Sequence, residues 1–326
     1  MSLDSDVIVD RRRIRRKLTF WRLVAGLVTI AAIVTFGAIA TTRGPAVLTP
    51  SGSIARVNIE GLIRSDQQRV QALERLEKSS HAAVIVHINS PGGTTAGSEQ
   101  LHEALVRLKA KKPLVVVVEG LAASGGYIAA MAADHIVARQ SSLVGSIGVL
   151  FQFPNFTELM KTVGVKVEEV KSSPLKAAPN GFEPTSPEAR AALDALVKDS
   201  YAWFRGLVKE RRRMDDALLE KVADGRVFTG RQAVELKLVD QLGDEKAAVA
   251  WLVAEKKIKS DLPVRDYKLN PQFGDLTFLR AAATIAFDAL GLSSIARQIE
   301  QAGVAQAVDQ LSLDGMLALW RPAAPN

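Results

Sequence analysis

Residues Pro113–Ala130 read PLVVVVEGLAASGGYIAA, and the change of character along this stretch decides the fold. It begins with four consecutive valines, β-branched and apolar, the composition of a strand buried on both faces. It ends in a helix-forming run, Tyr127-Ile128-Ala129-Ala130-Met131, and only Ala122-Ala123-Ser124-Gly125-Gly126 lies between. A strand that turns into a helix this abruptly puts the turn at the carboxyl edge of a sheet, where open α/β sheets keep their chemistry. The new helix also aims unpaired N–H groups at whatever sits there. Ser124 is therefore placed as a nucleophile, exposed, uncrowded and next to glycine amides. The plainer reading is a small-residue turn that packs a helix onto a strand.

Upstream, Ala55, Val57 and Ile59 alternate along a first strand, and Asp66–Leu76 has helical periodicity through Val70, Leu73 and Leu76. Ala82–Ile88 is a second buried strand, ending in Asn89-Ser90-Pro91-Gly92-Gly93 before a helix over Ser98–Lys109. Downstream come a short strand at Ile136–Ala138, the glycine-punctuated Ser141–Leu150, a helix at Phe156–Val163 and a strand at Val165–Val170. Strand and helix alternating at this spacing predict βαβ units and a parallel sheet. Ser172–Pro187 carries four prolines and no periodicity, a long loop of the kind that is often functional. Helices follow at Ala189–Arg213, Ala217–Ala223, Arg231–Leu236 and Glu245–Lys256, with a strand and turn at Gly225–Gly230.

The chain of 326 residues divides into a basic tail 1–22, an apolar segment 23–40, a linker 41–52, a catalytic domain 53–258 and an extension 259–326. Leu23–Ala40 holds no charge in 18 residues, which as a helix is ~27 Å, enough for a thin bilayer. RRRIRRK precedes it and Arg43 follows, so the positive-inside rule puts the N-terminus in the cytoplasm and the rest outside. A cleaved signal peptide and a buried core helix are the competing readings of that segment. The net charge of +7 is mostly local: residues 1–22 carry seven basic and three acidic side chains, Arg43 adds one, and +2 remains for 44–326. That balance gives no reason to expect a nucleic-acid partner. The absence of cysteine excludes disulfides, thiolate metal sites and a cysteine nucleophile. In the extension, Thr277–Ala305 is alanine-rich with Phe278, Ile285, Leu292 and Ile299 at helical spacing, a membrane-surface, subunit-contact or simple packing helix.

Two glycine-containing turns, Ser90-Pro91-Gly92-Gly93 and Ser124-Gly125-Gly126, follow successive strands and would face one crevice if those strands are neighbours. The amides of Gly92 or Gly93 and of Gly125 are then candidates to hold an oxyanion. Neither GxxxxGK[ST] nor GxGxxG is present, so a phosphate cradle has no motif behind it. A serine nucleophile needs a base. His81, His87, His102 and His135 lie on or beside strands and helices, and none is in a late loop able to fold over the site. The other known base is a lysine kept neutral by burial. Lys176, in Pro174-Leu175-Lys176-Ala177-Ala178-Pro179, has the apolar, small-residue surroundings this needs, whereas Lys166 and Lys171 neighbour Glu168 and Glu169. Ser173-Pro174-Leu175-Lys176 matches S-x-x-K, but its companions S-D-N and K-T-G are missing.

HINSPGG, GLAASGGYIAA, LVGSIGV, SSPLKAAPNGFEP and DGRVFTGRQAVELKLVDQLG resemble, in this order and over residues 50–256, the short bacterial signal peptide peptidases of the SppA type. That resemblance implies an α/β, ClpP/crotonase-like fold of repeated ββα units after one N-terminal transmembrane helix. It implies a Ser–Lys endopeptidase of the inner membrane with its domain outside the cytoplasm, needing no cofactor and degrading released signal peptides. Ser124 matches the nucleophile and Lys176 the general base, and the glycines Gly92, Gly93 and Gly125 match the oxyanion donors. Ser146 enters only by this analogy, as a residue that orients the lysine or shapes the pocket. The resemblance further implies a homo-oligomeric ring in which neighbouring subunits can share one Ser–Lys site. Two rival readings are a crotonase-like acyl-CoA enzyme, which would use the glycine amides without Ser124 or Lys176, and a non-catalytic ring scaffold.

Overall fold

Three parallel strands form the centre of the sheet in a computed structural model, which describes residues 52–269 and 317–319. They are β1 (Ile54–Ile63), β2 (Ala83–Thr94) and β3 (Leu114–Ala123), with Val57 beside Val86 and Val86 beside Val116. The crossovers are α1 (Gln67–Glu77), capped by the Asp66 side chain, and α2 (Thr95–Lys109), capped by Thr94. The valine run is buried on both faces, as its composition predicts. Leu114, Val116 and Val118 join the larger core with α1 and α2, while Val115 and Val117 pack on the other face against Ala248 and Leu252. Those two residues belong to α8 (Glu245–Lys256).

The far edge of β3 is shared. β4 (His135–Ala138) pairs with its first half and β5 (Leu143–Gly145) with its last three residues. Between them β3 runs into α3 (Gly125–Ala130), whose six residues are all buried. Beyond β5 come α4 (Thr157–Thr162), α5 (Pro187–Arg212) and α6 (Asp216–Val222). β6 (Val227–Thr229) then pairs antiparallel with β5, α7 (Gly230–Glu235) starts on a capping box of Thr229 and Gln232, and β7 (Gln241–Leu242) extends β4. β8 (Val264–Asp266) adds to β1 in parallel, and β9 (Leu317–Leu319) adds antiparallel to β2. The sheet is therefore mixed, not the all-parallel sheet that the strand–helix alternation predicts, because the edge strands β6 and β9 add antiparallel; it has nine strands among the described residues.

Three further features differ from the sequence reading. Ser90–Gly93 is not a turn. β2 runs straight through it, re-registering on β1 at a bulge so that Leu62 pairs with Gly92 and Ile63 with Gly93. Glycine permits this because β1 passes so close that a Cβ on Gly93 would lie 1.8 Å from the Ile63 carbonyl oxygen. Second, Val165–Val170 forms no strand: among the described residues no edge pairs with it, and Val165, Val167 and Val170 are exposed. Third, the sheet takes in Val264–Asp266 and Leu317–Leu319, so strands continue into the region read as a helical extension. The apolar segment 23–40 and the helix expected over 277–305 lie outside the described residues. Among the described residues, no helix is long and apolar enough to cross a membrane.

Candidate active site

Ser124 caps α3 with φ 52° and ψ −117°, a conformation that costs a non-glycine residue about 1–3 kcal/mol and persists only where surroundings impose it. Those surroundings are explicit. The Ser124 N–H donates to the Gly145 carbonyl at 2.8 Å, and the Ser124 carbonyl accepts from Tyr127 and Ile128, each at 2.9 Å. The Tyr127 hydroxyl, fully buried in α3, donates to the Leu238 carbonyl at 2.7 Å and pins the helix from behind. Ser124 is buried in the single chain, not exposed as its place in the turn suggests, because β5 and the segment after it pack over the elbow; its hydroxyl makes one long hydrogen bond, to the Gly148 carbonyl at 3.5 Å. This is a strand–turn–helix elbow that holds a lightly engaged hydroxyl at the first turn of a helix.

The β2 extension lies directly alongside. Ser90 pairs with Ala122, and a Cβ on Gly126 would come within 2.7 Å of the Ser90 carbonyl oxygen. Ser90 is itself fixed: its hydroxyl donates to the Gly61 carbonyl at 2.7 Å and accepts from the Gly92 N–H at 3.1 Å. The two glycine segments singled out in the sequence thus meet, as a strand edge and a helix start. Ser146 is buried at the end of β5, also with positive φ (50°), and its N–H donates to the Arg226 carbonyl at 2.8 Å. It follows Gly145, the partner of the Ser124 amide, so its segment supports the elbow.

None of the four histidines bonds Ser124. His81 pairs with the Ser53 hydroxyl at 2.8 Å, and His102 with the Ile128 carbonyl at 2.8 Å. Burial holds both imidazoles below their ordinary range, and these hydrogen bonds only partly offset it. His87 bridges Glu119 and Glu245, and His135 stacks on Trp251. Lys171 is held charged by Glu169 and Glu183, which push its pKa up. Lys176 is exposed in the single chain, so one subunit does not give it the burial expected for a neutral base. It sits on a turn where its N–H donates to the Ser173 carbonyl, and the next residue, Ala177, has φ 57°. The sequence reading missed the roles of Gly145 and Gly148 as acceptors for Ser124. Their glycine spacing in LVGSIGV was visible but pointed only to the serine between them.

A buried strand that breaks at a strained serine into a helix, beside a glycine-built strand edge, is the arrangement expected of a serine hydrolase on an α/β sheet. The sequence comparisons agree with that class. The sequence model of the Clp protease family matches residues 59–142, and that of Peptidase family S49 matches residues 106–259. A Synechocystis sp. protein bearing a protease name is 38% identical over 200 residues, which are 61% of this chain and 72% of that one. Protease 4 of Haemophilus influenzae is 31% identical over 228 residues, 67% of this chain and 37% of its own length. A solved structure of a ClpP1 mutant from Listeria monocytogenes aligns with TM-score 0.40 and 16% identity, over 58% of this chain and 91% of that one. The chain belongs to peptidase family S49 and is a serine peptidase.

Proposed function

We propose that the chain is a membrane-anchored endopeptidase that cuts released signal peptides and other apolar peptides in extended form, with Ser124 as nucleophile and Lys176 as general base. The backbone of Ser124 carries this reading. Among the described residues it is the serine that combines a strained positive φ with the start of a buried helix, next to a glycine edge able to receive a peptide. Ser146 shares the positive φ but begins no helix.

The chemistry then runs as acyl transfer. The neutral Lys176 amine takes the Ser124 proton as Oγ bonds to the peptide carbonyl carbon. The carbonyl oxygen becomes an oxyanion, held by the amides of Gly125 and Gly93; the Gly92 N–H already serves the Ser90 hydroxyl, which favours Gly93 of the two. Each such donor is worth ~3 kcal/mol of barrier. The lysine returns the proton to the departing amine as the C–N bond breaks. It next takes a proton from water as the water oxygen bonds to the acyl carbon, and returns that proton to Ser124 Oγ as the ester C–O bond breaks, which releases the carboxyl product and restores both residues.

The exposure of Lys176 supports a base supplied by a neighbouring copy in a homo-oligomeric ring. Its segment also exposes Phe156, Leu159, Val163, Val170, Leu175 and Phe182, an apolar surface suited to subunit contact. The uncharged run 23–40 behind RRRIRRK supports an anchor in the bacterial inner membrane, its N-terminus in the cytoplasm and the peptidase outside. Apolar peptides left in the bilayer would concentrate beside such a site.

The test is labelling of the full-length protein with a fluorophosphonate. One adduct on Ser124 is expected, with none in Ser124→Ala or Lys176→Ala. Wild-type labelling of Lys176→Ala would remove the lysine from the mechanism, and an assembled oligomer that takes no label would remove the serine.

A further inference from the structure

The helix that starts at Ser124 is short. α3 has six residues, Gly125–Ala130, too few to hold a helical geometry unaided, because nucleation costs more than so few hydrogen bonds return. Its position is therefore set by what grips it. Every carbonyl from Tyr127 to Ala133 is engaged. The N–H groups of Met131, Ala132 and Ala133 donate to the carbonyls of Tyr127, Ala129 and Ala130. The His102 Nδ1 of α2 donates to the Ile128 carbonyl at 2.8 Å. The last three carbonyls are met by one side chain, Arg211 of α5. Its Nε donates to Met131 at 2.8 Å, and its Nη2 to Ala133 at 3.0 Å and to Ala132 at 3.4 Å. Met131, Ala132 and Ala133 are buried, so water is a poor substitute for the guanidinium.

The pattern of α5 shows how deliberate this contact is. Ser200, Phe204, Val208 and Arg211 follow at spacings of four, four and three, one stripe of the helix, and the first three are buried. That stripe calls for an apolar residue at position 211. An arginine stands there instead, its stem continuing the stripe and its planar fork reaching the carboxyl end of α3, where the helix dipole favours a cation.

We propose that Arg211 is a positioning residue of the peptidase reaction, fixing α3 from its far end and so placing the Ser124 hydroxyl and the Gly125 amide at its near end. Seven residues separate Ser124 from Met131, about 10 Å of helix, so the arginine acts through α3 and touches no substrate. At the near end the Ser124 N–H is held by the Gly145 carbonyl, and Gly126 abuts Ser90. Arg211 removes the remaining freedom of α3 to slide away from β2. The effect on rate rests on the reading of Ser124 as nucleophile; the clamp on α3 does not.

The experiment compares the full-length protein with Arg211→Ala and Arg211→Lys at a temperature where each is folded. Three quantities are read: kcat and KM for an alanine- and leucine-rich fluorogenic peptide, the rate of fluorophosphonate labelling, and hydrogen exchange of the amides in residues 127–133. Arg211→Ala should lose roughly ten- to a hundredfold in kcat and in labelling rate, keep KM within about twofold, and exchange faster at 127–133. A purely structural contact would lower the melting temperature and leave kcat of the folded enzyme unchanged. Arg211→Lys keeps the charge without the fork and should recover only part of kcat. Millimolar ethylguanidinium should raise kcat of Arg211→Ala severalfold and leave the wild type unchanged. A kcat within twofold of wild type, or a loss confined to KM, would overturn the positioning role. Unchanged exchange at 127–133 would overturn the clamp itself. Should Arg211→Ala not fold, wild-type kcat in Arg211→Lys would overturn the proposal in its place. If even the wild type neither hydrolyses peptide nor takes fluorophosphonate while exchange responds to Arg211, the assignment of Ser124 fails, the positioning role goes with it, and the clamp stands.

Discussion

Adding one methyl group at Gly126 tests whether the closeness of α3 to the β2 extension sets the rate. A Cβ there would sit 2.7 Å from the Ser90 carbonyl oxygen and 3.3 Å from the Ser90 Cβ. Ordinary contact begins at 3.4 Å, so the first turn of α3 must retreat from β2 by about 0.7 Å. Neither neighbour can yield cheaply, because Ser90 is tied to the Gly61 carbonyl and the Gly92 amide, and α3 is buried over its whole length. Overpacking of this kind costs about 1–3 kcal/mol of stability. It should cost catalysis more, because the retreat separates the Gly125 amide and Ser124 hydroxyl from the β2 edge proposed to receive the peptide. A misplacement near 1 Å is worth on the order of 10²-fold in rate. Gly126→Ala should therefore fold, melt a few degrees lower, and lose roughly ten- to a hundredfold in kcat/KM and in the rate of fluorophosphonate labelling. Peptide hydrolysis by the variant with wild-type constants, at 25 °C where it is fully folded, would refute the placement of the site between these two segments.

Gly206 is the opposite case, a glycine on an exposed face of α5 with nothing within 4 Å of its added Cβ; Gly206→Ala should raise stability in urea by about 1 kcal/mol and leave activity unchanged. Lys171→Ala removes an ion-paired lysine five residues from the proposed base and should keep activity within about twofold, whereas Lys176→Ala should abolish labelling. His102 is held neutral by burial, with a pKa below its unfolded value near 6.5. Its contribution to stability is complete above pH 6.5 and is lost as pH falls from there toward the lowered folded value, because the unfolded chain then binds more protons. The melting temperature should drop over that acid interval, and His102→Gln should flatten the drop. Mixing Ser124→Ala with Lys176→Ala, each inactive alone, should restore about a quarter of wild-type activity after subunit exchange if each site takes its serine and lysine from neighbouring copies. No recovery after demonstrated exchange would place both residues in one subunit.

The centre of this fold was legible because its signals are local. Four valines and the small residues after them can satisfy burial on two faces only as a central strand, and the helix that follows is set by Tyr127–Ala130. What stayed hidden depends on partners distant in sequence. Ser90–Gly93 has the composition of a turn, and only the approach of β1, with Ile63 against Gly93, turns it into strand. The Gly145 and Gly148 acceptors are ordinary loop glycines until β5 is placed beside β3. Val165–Val170 shows the reverse: its residues favour a strand, but pairing needs an edge, and none among the described residues reaches it. β8 and β9 are too short to announce themselves by periodicity, and each exists because an edge of the central sheet was open to it.

The proposed nucleophile and base come from parts of the chain with opposite physical character, and that contrast bears on how activity would be controlled. Ser124 is fixed by a core in which β3 and α3 are almost wholly buried. Lys176 belongs to an excursion between β5 and α5 whose only helix, α4, buries no residue. Phe156, Leu159, Val163 and Val170 remain exposed along it. Such a segment gains little by packing on its own chain and much by being covered, since each Å² of apolar surface removed from water contributes about 25 cal/mol. Covering it with a second copy would exclude water from the same loop that carries the amine, and an amine out of water is favoured in the neutral form a general base requires. On this reading assembly supplies both the position and the protonation state of the base, so an isolated subunit would hold a well-formed serine with nothing to activate it.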